Sequence, residues 1–149
     1  MTAAGAPEAS ESGEADAARP TARELGQRSM AAVEAGDRDA WLALFSDDAV
    51  VEDPVGPSMF DPDGTGHRGP EAIAAFYDNV IGVNESIRFT IRQSFLCGDE
   101  VANVGAIRIT FVGGGAVEVD GVYCYRVAAD GRLAGIRAFW EADQIRSVE

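Results

Sequence analysis

Asp53 lies in the run Val51-Glu52-Asp53-Pro54-Val55-Gly56. The run closes an apolar strand, read over residues 49–52, that follows a short helix. A proline ring holds the residue before it extended, so Asp53 reads either as a turn residue or as a proton-transfer base facing a cavity. Glu52 points to the opposite face of the strand and reads as solvated. Ser29 sits in an apolar helix stripe with Leu25, Ala32 and Val33. Its hydroxyl either bonds back to the carbonyl four residues earlier or faces a pocket. Tyr123 and Tyr125 share the apolar face of a strand, where a tyrosine is either packed with its O–H satisfied or offers that O–H to a ligand. His67, the single histidine, falls in a polar glycine-rich loop and reads as a surface residue. No His/Asp/Glu spacing suggests a metal site. Gly113-Gly114-Gly115 joins two strands and reads as a turn, not a phosphate cradle.

Bulk properties narrow the partners. The chain has 149 residues, the length of one domain with a sizeable core. Its formal net charge of −13 disfavours nucleic acid and anionic membrane, both of which select basic patches. No apolar run approaches the length of a bilayer span. The N-terminus lacks the basic and apolar regions of a secretory signal and is too acidic for a mitochondrial presequence. Cys97 and Cys124 are too few for a disulfide framework or zinc site and read as reduced thiols of a cytoplasmic protein.

The elements that must position these groups follow from pattern. Residues 1–19 carry no large apolar side chain after Met1, cannot offset their ordering entropy, and read as a disordered acidic tail. Residues 20–149 read as the folded domain. Thr21 and Glu24 have capping-box spacing and Gly36 supplies the stop, which predicts a first helix between them. A second short helix is predicted from about Arg38 to Phe45, burying Trp41, Leu42, Leu44 and Phe45. Residues 54–69, with Pro62-Asp63-Gly64 inside, form a long loop of a length that is often functional. Pro70 opens a third helix with a stripe of Ile73, Phe76, Tyr77, Val80 and Ile81, ended by Gly82.

From Ser86 the hydrophobic period becomes two. Strands follow through Ile87, Phe89 and Ile91, through Ile107, Ile109 and Phe111, and through Val117, Val119, Gly121, Tyr123 and Tyr125. Asp130-Gly131 is a hairpin signal before a last strand from about Leu133 to Trp140. Helices first and an antiparallel meander after them predict an α+β fold: a cone-shaped barrel of three helices packed on a curved sheet. Such a cone encloses an apolar pocket suited to small apolar molecules.

The run Gly36-Asp37-Arg38-Asp39 with Leu42-Ala43-Leu44-Phe45-Ser46-Asp47-Asp48-Ala49-Val50-Val51-Glu52-Asp53-Pro54-Val55-Gly56 resembles the ketosteroid isomerases of the nuclear transport factor 2-like (SnoaL-like) superfamily. Ala74-Ala75-Phe76-Tyr77, Asp130-Gly131 and Ile136-Arg137-Ala138-Phe139-Trp140 fit as well, over about residues 22 to 143. The resemblance implies a cofactor-free steroid delta-isomerase in which a carboxylate at Asp53 moves a proton α to a ketone. It also implies two donors to the enolate oxygen, a helix tyrosine and a strand aspartate. Those positions hold Ser29 and Tyr123 here. Tyr77 matches a tyrosine that backs up the helix donor, and Phe76, Tyr125 and Trp140 match pocket walls. With both donors changed, the expectation is a slow isomerase acting on a steroid or similar polycycle, since losing one donor typically costs on the order of 100- to 1000-fold.

Two other functions stay open. Superfamily relatives that act on polyketides open epoxides with a carboxyl pair, which implies Asp53 with Glu85; otherwise Glu85 is a solvated residue at a strand start. A non-catalytic steroid or lipid binder is the third. The family also implies a homodimer through the outer sheet face, with Val122, Cys124 and Phe139.

Overall fold

The computed structural model describes residues 19–148. The tail read over residues 1–19 lies, except for Arg19, outside them. Helix α1 (Ala22–Ala35) begins on the reciprocal Thr21–Glu24 cap and ends at Gly36, whose φ of 68° needs a glycine. Helix α2 (Arg38–Leu42) is capped by the Asp37 side chain on the Ala40 N–H. Strand β1 (Phe45–Glu52) starts earlier than its sequence suggests, and α2 ends sooner. The Leu44 carbonyl accepts from the Leu133 N–H at 2.7 Å, so pairing with a distant strand takes Phe45 out of the helix. A two-residue strand β2 (His67–Arg68) folds back on β1 before helix α3 (Gly69–Phe76). The third helix then widens into a π-turn, Tyr77–Ile81, closed by the Gly82 N–H on the Tyr77 carbonyl at 2.7 Å.

The meander follows as β3 (Ser86–Cys97), β4 (Glu100–Thr110), β5 (Ala116–Val127) and β6 (Leu133–Phe139), with a short β7 (Arg146–Val148) returning along β5. The sheet order is β2-β1-β6-β5-β4-β3. Every pairing is antiparallel except β1 with β6, which run parallel with Val51 opposite Ile136 and Glu52 opposite Arg137. The cone is therefore an open curved sheet with edges at β2 and β3, not a closed barrel.

Curvature has a local cause. The β3–β4 register slips between Ile91 and Gln93, which adds one residue to β3 and bends it. At the same level Gly105 and Gly121 face each other across β4 and β5. A Cβ on Gly105 would lie 2.1 Å from the Thr90 carbonyl oxygen, and one on Gly121 would lie 2.4 Å from that of Phe139. Missing side chains let the sheet fold over, and the concave face receives α1 and α3. One hydrophobic cluster fills the join, with Trp41, Ile73, Val51, Val101 and Leu133 almost wholly buried.

Candidate active site

Between the helices and the curved sheet lies a cavity of about 290 Å³. Val33, Phe89, Ile107, Val119 and Ile136 give it an apolar wall. That volume suits one small ligand. Into this wall the fold brings six of the sequence-nominated residues: Ser29, Asp53, Phe76, Tyr123, Tyr125 and Trp140.

Asp53 follows the last residue of β1. Alternation sends Glu52 outward to Arg137, N–O 2.7 Å, and Asp53 inward. The Val55 N–H bonds the Ala138 carbonyl at 2.9 Å, so the chain stays tied to β6 beyond Asp53. The Trp140 indole N–H, just past the end of β6, donates to Asp53 Oδ1 at 2.6 Å. No cation pairs with Asp53 among the described residues. Burial pushes its carboxyl up to about 6 from the ordinary 3.8, and the indole bond pulls the other way. Desolvation wins because a single neutral donor offsets only part of the lost hydration.

Two phenols from β5 face the same space. Tyr123 is 2% exposed and its O–H donates to the Val119 carbonyl at 2.7 Å. That carbonyl lies where β5 has left β7, whose register ends at Glu118, and has not yet met β6, which begins at Val122. Tyr125 lies across α1 at Gly26, where a Cβ would sit 2.7 Å from its Cδ1. The Ser29 side chain pulls its phenol down, against burial. Burial, then the Asp53 charge, holds both phenols well above the usual tyrosine range.

Ser29 lines the cavity. Its Oγ accepts from the Trp41 indole N–H at 3.0 Å.

Two nominated residues stay out of the wall. Tyr77 stacks on Trp41, ring centroids 5.5 Å apart, and its phenol feels Asp37, Arg38 and Asp78 at the surface. The Trp41 indole occupies the space beside Ser29 that Tyr77 would need. Glu85 is exposed, and among the described residues only its backbone N–H is engaged, on the Thr110 carbonyl at 2.8 Å. The epoxide-opening pair of Asp53 with Glu85 is therefore not assembled. His67 also departs from its sequence reading: it is half-buried, tilted against Phe76 at 4.8 Å, with a buried Nε2 that has no partner. Pairing of β2 with β1 draws it inward.

Sequence reasoning missed Trp41 as the donor to Ser29, Gly26 as the seat of Tyr125, and the rim. Met59, 64% exposed, and Phe60 hang from the long loop over the mouth, and Phe60 meets the Trp140 ring at 6.4 Å. Asn84 lines the cavity too, its amide donating to the Val80 and Ile81 carbonyls. The loop's length was a signal; the contact of Phe60 with Trp140 was not. Among the described residues no three side chains are grouped to hold a metal.

Residues 27–142 match the model of the SnoaL-like domain. The chain belongs to the SnoaL-like family. Solved structures place this SnoaL-like protein in the ketosteroid isomerase-like branch. The Δ5-3-ketosteroid isomerase from Mycobacterium sp. is 40% identical, with a TM-score of 0.80 over 85% of this chain and 98% of that one. RV0760c from Mycobacterium tuberculosis, in complex with estradiol-17beta-hemisuccinate, is also 40% identical, with a TM-score of 0.78 over 83% of this chain and 96% of that one. SalBIII, an epoxide hydrolase/cyclase-like enzyme of polyether salinomycin pyran ring formation, is 21% identical with a TM-score of 0.71 over 85% of this chain and 95% of that one, and shares the fold alone.

Proposed function

We propose that this SnoaL-like protein is a cofactor-independent isomerase that moves a proton α to the ketone of a steroid or similar apolar polycycle. The observation that carries this reading is Asp53: a carboxyl with no cation partner among the described residues, set in an apolar wall and poised near 6. A base of that strength is ionised at neutral pH yet accepts a proton readily. Ionised Asp53 takes a proton from the carbon between ketone and alkene, and the electron pair moves to the ketone oxygen as a dienolate. Asp53–H then returns the proton at the far end of the diene, which restores the ketone in conjugation and the carboxylate. Likeness to a mycobacterial ketosteroid isomerase and to a protein solved with a steroid ligand supports the substrate class. Turnover is expected to be slow, because Tyr123 spends its proton on Val119 and no tyrosine stands at position 29.

The test is the ultraviolet absorbance of the conjugated enone formed from a 3-oxo-Δ5 steroid. Turnover that vanishes in Asp53→Asn supports the proposal, and turnover that survives it rejects it. The same commitment of Tyr123 favours one second reading, a steroid binder that does not turn over. Tight steroid binding with no Asp53-dependent product would select it. We further propose a homodimer through the outer sheet face, where Phe139 is 41% exposed. Free Cys97 and Cys124 agree with a cytoplasmic setting.

A further inference from the structure

We propose that Phe111 and Met59 are specificity-determining residues: they form an apolar rim that takes an alkyl substituent at the far end of the ligand, so that this chain favours alkyl-bearing polycycles over those that end in a polar group. The inference rests on the reading of Asp53 as the base that works on a ketone, since that reading fixes which end of the ligand lies inward. The sheet register places the polar groups on one level. Glu52 pairs with Arg137 in the parallel ladder, so Asp53 comes beside Ala138, and Ala138 is the partner of Tyr123 on β5. Trp140 donates to Asp53 at 2.6 Å. The reacting ketone belongs at this level.

Away from that level the wall is apolar. Toward the β4–β5 turn β5 carries Val119 and Val117, and the register sets Ile107 and Ile109 of β4 opposite them. All four line the cavity, as does Phe111 beyond Ile109. Ile145 joins them from the C-terminal side, because Arg146 pairs with Glu118 in the ladder and bonds both Glu118 and Asp120 at 3.0 Å. At about 3.3 Å per residue, Val117 lies about 20 Å along β5 from Tyr123. A ligand with its ketone at Asp53 therefore extends over this run and toward Phe111. Asp53 is the only charged side chain in the wall among the described residues, and Asn84 has its amide nitrogen on the Val80 and Ile81 carbonyls. A charged end group finds no counter-charge in this run, and an acceptor such as a second ketone meets carbon.

Both rim residues are held by their backbone surroundings. The Phe111 N–H bonds the Gly115 carbonyl at 2.9 Å, and the Phe111 carbonyl accepts from the Gly114 N–H at 3.1 Å. Met59 sits between Ser58 and Asp61, which exchange two backbone bonds of 3.0 and 3.1 Å, while the Asp61 carboxylate accepts from the Gly66 N–H at 2.8 Å. Yet Phe111 is 40% and Met59 64% exposed, and both line the cavity. One exposed apolar side chain needs no explanation. Two held at one cavity extend its wall outward, and an alkyl chain leaving the cavity covers them. The net charge of −13 sets the chain against an anionic lipid surface as the alternative cover. A fully buried methylene is worth about fourfold in affinity, so one laid on a rim that stays half open is expected to give about twofold.

The experiment uses the full chain and two 3-oxo-Δ4 steroids, conjugated products that bind without reacting. They differ only at the ring carbon farthest from the ketone, which carries either a second ketone or a branched eight-carbon alkyl chain. Dissociation constants are read from tryptophan fluorescence, since Trp140 lines the cavity. The alkyl-bearing ligand is expected to bind at least about tenfold more tightly than the diketone. Phe111→Ser and Met59→Ser are each expected to weaken it about five- to tenfold and the diketone by less than about twofold. With the matching Δ5 substrates the preference falls on KM and not on kcat, because the tail contacts are the same in ground and transition states. A diketone that binds as tightly as the alkyl-bearing ligand, or losses in Phe111→Ser that are equal for the two, would overturn the assignment. Where Phe111→Ser fails to fold, the same comparison in Met59→Ser decides. If both affinities stay unmoved in Phe111→Ser while the chain leaves uncharged phosphatidylcholine vesicles or a dimer, the rim belongs to lipid or to a second copy and the inference falls. Alkyl-selective binding with no enone formed by the wild type would uphold the rim and reject the isomerase; enone formation without alkyl selectivity would do the reverse.

Discussion

Asp53 is held in a state it resists. Its folded pKa of about 6 lies above the ordinary 3.8, so between those values the native state binds more protons than the unfolded chain. Stability therefore falls as pH rises through that window and is flat above it. The raised value corresponds to roughly 3 kcal/mol at neutral pH. Asp53→Asn keeps an acceptor for the Trp140 N–H and removes the buried charge. It is expected to raise unfolding free energy above pH 6 by about 1–3 kcal/mol in urea denaturation, while abolishing turnover. For the same reason kcat/KM should climb with pH through about 6 and then level, as the free enzyme's base ionises. Trp140→Phe deletes the bond that pulls the Asp53 value down. Its kcat/KM profile should shift to higher pH; an unmoved midpoint would show that the indole does not tune the base.

At the scale of elements, position is set by what glycines omit. Gly105→Ala would drive a Cβ to 2.1 Å from the backbone oxygen of Thr90, on a strand that a bulge has already bent toward it. Backbone cannot swing aside as a flexible side chain can, so the expected loss exceeds about 3 kcal/mol by chemical denaturation, if the variant folds at all. Gly26→Ala tests a closer balance. Alanine favours a helix interior by about 1 kcal/mol over glycine, yet the new methyl meets a buried ring, and overpacking costs about 1–3 kcal/mol. Net destabilisation is expected, read as a lower midpoint in urea denaturation. The helix phenol that the family resemblance led one to seek at position 29 is absent, and the ring of Tyr125 from β5 packs over Gly26 on the same helix.

Over the whole molecule, exposed aromatic and apolar side chains fall in two notable places. The mouth carries Met59 and Phe111, and the outer sheet face carries Phe95 and Phe139. An exposed aromatic is ordinary singly, but Phe139 stands beside the half-buried Val122, opposite it in the ladder. Together with the family resemblance this motivates the dimer. Sedimentation should find a dimer for the native chain and a monomer for Phe139→Glu, because a charge buried at a symmetric contact is set against its own copy. Equal sedimentation of the two would remove this face as the interface.

The order of helices and strands, the inward stripe of α1 and the alternation that turns Asp53 away from Glu52 were all legible in the chain, because each is set by neighbours within a few residues. So was the long loop. Nothing local could show that β1 runs parallel to β6, since that pairing joins residues more than eighty positions apart. It takes Phe45 from a helix and brings Trp140 onto Asp53. Nor could spacing show that Trp41 would stand where Tyr77 was expected, that Glu85 would face solvent, or that Tyr123 would turn its proton to Val119. A sequence gives each side chain its chemistry and its face. Which proton is free, and toward what, depends on partners that only the folded sheet brings within three ångströms.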